Sequence, residues 1–144
     1  MRFARHLGVA SAAALTLTAL LAAPVKAAEP KGIGLELNKV ATVNGGCLLT
    51  FVANNATGAA LAAAGFEFVL FSKDGVVDRM TVFDFGALPE GKTVVRQFQI
   101  AGAPCEGFGS ILVNGPSGCG AAAAAPLCSA PLTASSRTAV SFGR

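Results

Sequence analysis

Four cysteines are the residues of this 144-residue chain whose type and spacing point most directly to chemistry. They are Cys47, Cys105, Cys119 and Cys128. An even number of cysteines is typical of disulfide bonds in a protein exported to an oxidising compartment. We expect Cys47–Cys105 to join two strand edges and Cys119–Cys128 to close a soft loop. The other two pairings stay open, and four buried free thiols are the alternative.

The remaining nucleophiles lack the partners that catalysis needs. Ser72, Ser110 and Ser135 have no histidine to act as a base, because the single histidine, His6, lies close to the N-terminus. The absence of a C-x-x-C pair also disfavours zinc binding and thiol redox chemistry. We therefore predict no catalytic residue, no cofactor and no metal, and we expect that the chain is not an enzyme.

Four acidic residues around one predicted hairpin are the other candidates for chemistry. They are Glu67, Asp74, Asp78 and Asp84. A glycosidase would use two carboxylates beside a sugar-binding cleft, but the chain has no Trp or Tyr to stack on a sugar. We expect Glu67 and Asp84 to face solvent or to pair with Arg79 and Arg96. A Ca²⁺ site built from the two other aspartates and loop carbonyls is the alternative.

Three short sequences resemble functional motifs but lack the parts that would make them work. Residues Gly115–Gly120 begin like a phosphate-binding loop, yet Ala121 and Ala122 stand where Lys and Ser or Thr are needed. Asp84-Phe85-Gly86 spells a kinase triplet without the other kinase elements and is interpreted as a strand end. Asn55-Ala56-Thr57 fits a glycosylation acceptor and is interpreted as turn chemistry.

The N-terminal 27 residues have the three parts of an export signal. Arg2 and Arg5 form a basic segment, Leu7–Ala23 is uncharged and apolar, and Pro24 ends the run before Val25-Lys26-Ala27. We expect a Sec-type signal peptide at residues 1–27 and a mature chain at 28–144 in the periplasm or outside the cell. The apolar run is short for a bilayer span of about 20 residues, so an uncleaved anchor is the less favoured alternative.

The charge of the chain belongs to that predicted signal. The whole chain has 11 Lys and Arg and 8 Asp and Glu, and three of the basic residues but no acidic ones lie at residues 1–27. Residues 28–144 therefore carry no net formal charge, which gives no indication of nucleic acid or membrane binding. Their number fits one domain with a modest core.

The pattern of residues 28–144 predicts an all-β domain. Seven short segments rich in branched and aromatic residues alternate with turn signals about every 8–12 residues, which is typical of an antiparallel sandwich. They are Gly34–Val43, Cys47–Ala53, Phe66–Ser72, Val76–Phe85, Thr93–Ile100, Phe108–Asn114 and Thr138–Phe142. The stretch 115–131 is predicted to be an Ala-rich loop tied by Cys119–Cys128.

One predicted strand is apolar on both faces. Phe66 and Phe68 share one face, and Val69 and Phe71 share the other. Such a strand is either central in its sheet and buried, or it leaves an exposed apolar patch that binds another protein. The sequence leaves both interpretations open.

The same strand and the hairpin that follows it resemble the core of the FxLyD domains. The matching segments are Asn54–Gly58, Phe68–Ser72, Asp74–Val77 and Leu88–Gly91, with Phe71 and Ser72 in place of the Tyr and Asp of the pattern. The resemblance implies a small immunoglobulin-like module of bacterial envelope and extracellular proteins. It covers about a third of the predicted mature chain and implies a fold and a compartment, not an activity.

Other segments are similar to a group of uncharacterised secreted proteobacterial proteins. These segments are Gly34–Lys39, Phe83–Gly86 and Ser136-Arg137. That group is often labelled by a twin-arginine signal, which this chain lacks because Arg2 and Arg5 are not adjacent. From the sequence we therefore expect an immunoglobulin-like interaction module that contacts another envelope protein. A self-assembling subunit of the pilus or coat type is the first alternative, and an enzyme of unrecognised type is the last.

Overall fold

Eight strands account for most of the residues that the structure, a computed structural model, describes. It describes residues 31–119 and 125–144, so the predicted signal at 1–27 and most of the alanine run lie outside the described residues. The strands are β1 Gly32–Val43, β2 Gly46–Ala56, β3 Gly65–Ser72, β4 Val77–Asp84, β5 Thr93–Ile100, β6 Phe108–Pro116, β7 Leu132–Ser136 and β8 Ser141–Gly143. A 3₁₀ turn covers Cys105–Gly107 and one short helix, α1, covers Ala125–Ser129.

The strands form two four-stranded sheets that pack face to face. The first sheet has the order β5-β2-β1-β7 and the second has the order β4-β3-β6-β8. The predicted all-β sandwich is therefore confirmed. In its first six strands, β2 lies between β1 and β5, and β3 lies between β4 and β6. This order, with hairpins at β1–β2 and β3–β4, is also that of immunoglobulin-like sandwiches.

The C-terminal strands differ from the predicted pattern of about seven antiparallel strands. β7 pairs with β1 and β8 pairs with β6, and both pairs are parallel. Parallel neighbours need a crossover connection. Here the chain leaves the second sheet after β6, enters the first sheet at β7 after α1, and returns to the second sheet after residue 140. The helix α1 also lies inside the stretch that was predicted to be a loop.

The turn between β7 and β8 explains why the predicted strand Thr138–Phe142 begins later than expected. The Ser136 hydroxyl donates to the carbonyl oxygen of Val140 at 2.7 Å, and the Thr138 hydroxyl donates to the same oxygen at 3.1 Å. These side chains hold the backbone in a turn until Ser141. The strand β7, which precedes this turn, was not predicted.

Phenylalanine rings fill the space between the sheets. Phe51 on β2 is fully buried and lies with its ring centroid 5.4 Å from those of Phe68 and Phe142. Phe83 stacks on the half-buried Phe98 at 4.4 Å, which joins β4 to β5 across the two sheets. Such pairs each contribute about 0.5–1.5 kcal/mol beyond the area they bury. The core is thus built largely from phenylalanine side chains.

Two disulfides cross-link the chain. Cys47 at the start of β2 is bonded to Cys105 just before β6, which ties the first sheet to the second. Cys119 is bonded to Cys128 and closes the loop before β7. Both pairs are the ones expected from the sequence. Within the described ranges no helix is long and apolar enough to cross a lipid bilayer.

Candidate interaction surface

The acidic residues of the β3–β4 hairpin do not meet in one site. Asp78 accepts a hydrogen bond of 2.6 Å from its neighbour Arg79, and Glu67 accepts one of 2.7 Å from Asn114. Asp84 is exposed and accepts from a backbone N–H two residues further on. Neither Glu67 nor Asp84 pairs with an arginine in the described part of the chain. That part also contains no group of three His, Cys, Asp or Glu side chains suited to a metal ion.

Two arginines close the gap between the edges of the two sheets. Arg79 on β4 donates to the carbonyl oxygen of Ala101, just beyond β5, at 3.1 Å. Arg96 on β5 donates to the carbonyl oxygens of Phe85 and Ala87, just beyond β4, at 2.7 and 3.4 Å. We call Arg79 and Arg96 the arginine clasp. The alternation of β5 puts Arg96 on its inner face, opposite Phe51 of β2, so its aliphatic part packs at the rim of the core.

The glycosylation-like sequence is a buried structural element. Among the described residues, Asn55 is the one polar residue that is fully buried. Its Nδ2 donates to the carbonyl oxygens of Leu88 at 2.7 Å and Ala59 at 2.8 Å, while its Oδ1 accepts from the Thr57 N–H at 3.1 Å. Both amide hydrogens are in use, so Asn55 ties two turns together, in agreement with its interpretation as turn chemistry.

The surroundings of the other two motif-like sequences, the phosphate-loop-like segment and Asp84-Phe85-Gly86, do not fit the functions of those motifs. Residues 115–118 and Asn114 line a surface notch of about 290 Å³ together with the carboxylate of Glu67. A carboxylate in the notch repels an anion, which argues against phosphate binding there. Asp84 is the last residue of β4, and Phe85 after it is fully buried. The triplet is therefore a strand end, as the sequence indicated.

A cleft of about 480 Å³ lies at the end of the sandwich near the Cys47–Cys105 bridge. Its lining includes Phe108, Val140, Lys73 and Glu106. The pKa of Glu106 is lowered first by its own backbone N–H and then by the Thr42 hydroxyl, which donates at 2.8 Å, with Lys73 adding to the effect. An ionised carboxylate held in this way is a poor proton donor, and the other charged side chain of the lining is Lys73.

The outward face of the second sheet is apolar across three adjacent strands. Val69 on β3 lies opposite Met80 on β4 and opposite Leu112 on β6. Side chains on these positions point away from the buried core residues that alternate with them. We call this surface the apolar face, and its members are Val69, Phe71, Val77, Met80, Val82 and Leu112. Its most exposed side chains belong to β4, where Met80 is 57% exposed, Val82 53% and Val77 52%.

The outward face of the first sheet has a different character. There the Gln97 amide donates to the Thr50 hydroxyl at 3.0 Å, and the Asn54 amide donates to Thr93 at 3.2 Å. Between these polar pairs Val95, 56% exposed, is the one strongly exposed valine of that face in the described residues. One outer face thus carries paired polar groups, and the other carries the apolar face, which is bordered by Glu67 opposite Val82 and by Ser110 opposite Phe71.

The strand β3 is central in its sheet, which was the first interpretation of its sequence, and binding of another protein to its outer side stays a prediction. It lies between β4 and β6, and its inward residues Phe66 and Phe68 are fully buried. Its outward residue Val69 is also buried, by its neighbours within the sheet, while Phe71 is half-buried. The strand is therefore central, and its outer side forms the middle of the apolar face.

No protein-family model, curated protein or solved structure matches the chain. The resemblance to FxLyD domains therefore stays a prediction from the hairpin sequence. The class of the protein is defined by its own architecture: a small disulfide-bonded β-sandwich with one polar and one apolar outer face.

Proposed function

We propose that this protein is an exported, non-catalytic interaction module of the cell envelope, and that it binds another protein through the apolar face. The observation that carries the proposal is the exposure of Met80, Val82 and Val77 side by side on β4. Single exposed apolar residues are ordinary on protein surfaces, but a contiguous apolar patch is typical of a binding site.

The energetics favour covering this face. Full burial of a Val or Met side chain stabilises a complex by about 1.5–3 kcal/mol relative to exposure. The sheet beneath these side chains is fixed by the core and by the arginine clasp, so little conformational entropy is lost on binding. Three half-exposed side chains on a fixed sheet can therefore form the central contacts of an interface.

Two features support an exported location. The two disulfides fit an oxidising compartment, in which such bridges persist. The N-terminal 27 residues have the composition of a signal peptide. A non-catalytic role is supported by the separation of the acidic side chains and by the hydrogen-bonded state of Glu106.

The test compares two valines of equal exposure on opposite outer faces. The tagged full-length gene is expressed in its native cell as wild type, Val82→Lys and Val95→Lys, and envelope proteins that co-purify after mild cross-linking are quantified. We expect the Val82→Lys variant to lose partners that wild type and Val95→Lys retain. The same partners at the same yield in all three samples would contradict the proposal.

Self-assembly is the second candidate function, and one specific observation favours it. β4 is the outer strand of its sheet, and it carries the most exposed part of the apolar face. An edge strand with exposed apolar side chains can pair with the same strand of another copy.

A further inference from the structure

The edge of β4 offers backbone hydrogen-bonding groups beside its exposed side chains. Within the described residues β4 pairs with β3 alone. The N–H of Phe85 donates to the carbonyl oxygen of Ala64 at 2.8 Å. Bonded positions alternate along an antiparallel ladder, so Thr81 bonds towards β3, whereas Met80 and Val82 direct their N–H and C=O groups to the open edge.

We propose that the partner of this edge is the β4 strand of a second copy of the same chain, in a two-fold symmetric, antiparallel pair centred on Thr81. This inference rests on the second candidate function, self-assembly, since it names the strand and the register through which two copies would pair. The pair would join two four-stranded sheets into one sheet of eight strands. It would also bring the two apolar faces onto the same side of that sheet.

The sequence of β4 is self-complementary in this register. Symmetry about Thr81 places Met80 of each copy opposite Val82 of the other, so the exposed apolar side chains cover one another. Asp84 comes opposite the Asp78 of the other copy. The Asp78 carboxylate is paired with the Arg79 guanidinium at 2.6 Å, which reduces the repulsion between the two aspartates.

The position of Thr81 gives the proposal a direct structural test. Because its backbone bonds towards β3, the two copies of Thr81 form a non-hydrogen-bonded pair, in which Cα atoms lie about 4.5 Å apart. That separation falls within the range of about 4.4–6.8 Å that a disulfide requires. We therefore expect the Thr81→Cys variant of the exported protein to form an interchain disulfide spontaneously. The matched control is Gln97→Cys on the exposed polar face of the other edge strand, which should stay monomeric under the same conditions.

The second measurement is the mass of the exported, oxidised protein in solution. We expect sedimentation velocity to show a dimer as the protein concentration is raised towards about 1 mM. Val82→Pro removes an N–H at the open edge but no hydrogen bond to β3. Because each copy loses one donor, the dimer loses two hydrogen bonds, and its dissociation constant should rise roughly ten- to a hundredfold. Val82→Lys is a second variant that keeps the backbone intact and should have the same direction of effect.

The outcomes separate this inference from the proposed function. A strict monomer, or equal cross-linking of Thr81→Cys and Gln97→Cys, overturns self-pairing but leaves binding of another protein to the apolar face intact. A dimer that survives Val82→Pro but is lost in Leu112→Asp overturns the edge pairing in favour of face-to-face packing. Loss of envelope partners in Val82→Lys, with no change in mass, supports the proposed function and contradicts this inference.

Discussion

The Nε atom of Arg96 on β5 lies 2.7 Å from the carbonyl oxygen of Phe85, to which it donates a hydrogen bond from the opposite sheet. The contact places a cation at the rim of a phenylalanine core, where an apolar residue would leave two carbonyl oxygens without this donor. Together with Arg79 it fastens the edges of the two sheets from both sides. The edge that carries the apolar face is therefore held in place by Arg96 from the opposite strand and by its own Arg79.

Arg96→Met should destabilise the protein although it replaces a charge with an apolar side chain. The variant leaves the Phe85 carbonyl without its donor, and a hydrogen bond to a charged group contributes about 1.5–3 kcal/mol. The free energy of unfolding in urea measures the loss. The control is Arg137→Met, since Arg137 is 70% exposed and pairs with Glu36 at the surface, where such pairs contribute about 0–1 kcal/mol. Equal losses for the two variants would refute the role of the clasp.

Asn55→Ala should be more damaging than the same change at the neighbouring Asn54. Asn55 satisfies two carbonyl oxygens, those of Leu88 and Ala59, and a buried polar group left unpaired costs about 1–3 kcal/mol. We therefore expect a loss of about 2–4 kcal/mol in urea unfolding. Asn54 is exposed and makes one hydrogen bond of 3.2 Å to Thr93, so Asn54→Ala should cost only about 0.5 kcal/mol. A cost for Asn55→Ala as small as that for Asn54→Ala would count against the account.

The two disulfides should differ in what they contribute to stability. The Cys47–Cys105 bridge spans 58 positions and the Cys119–Cys128 bridge spans 9, so loop closure predicts about 4 and about 3 kcal/mol respectively. The first bridge is also buried, whereas Cys119 is exposed, so replacing the first pair with alanine leaves unfilled space in the core. Chemical unfolding of the two double-alanine variants measures the difference. A larger loss from the Cys119 and Cys128 pair would be the contrary result.

Stability should fall on acidification through two surface carboxylates. The pKa of Glu36 is lowered by hydrogen bonds from Asn38 and Arg137, and the pKa of Glu106 is lowered by its own N–H and by Thr42. Their contribution is present above the ordinary value of 4.5 and is lost as the pH falls through the lower pKa of the folded state. As the pH is lowered from above 4.5, the urea concentration at the unfolding midpoint should therefore fall less in the double variant Glu36→Gln, Glu106→Gln than in wild type. An unchanged acid dependence in that variant would contradict the assignment.

The parts of the fold that the sequence predicted well are those with strong local signals. Phe66–Ser72 combines aromatic and branched residues and differs from β3 by a single residue at its start. The turn Asn44-Gly45 and the hairpin at Asp74-Gly75 use residues that accept positive φ, and Asn44, Gly45 and Gly75 do so here. In contrast, β7 consists largely of small hydroxyl residues, whose strand state depends on pairing with β1.

The features of the candidate surface that the sequence did not predict depend on tertiary contacts. The role of Arg96 was not predicted, because the carbonyl oxygens that it binds belong to the segment after β4, in the other sheet. Val69 and Phe71 were recognised as a second apolar face, but its extension to Met80, Val82 and Leu112 requires the register of three strands. In the sequence of β4, Met80 and Val82 alternate with the polar residues Arg79 and Thr81, and this alternation is the signal that could have identified the extension of the apolar face.

The most direct test of a binding role for the apolar face is site-specific photo-cross-linking in the native cell. A photoreactive residue is placed at Val82 or, as the matched control, at Val95, which is equally exposed on the polar face. Binding through the apolar face predicts discrete cross-linked products from position 82, whether with a second copy or with another protein, and none from position 95. Position 82 without adducts, or the same adducts from both positions, would contradict it.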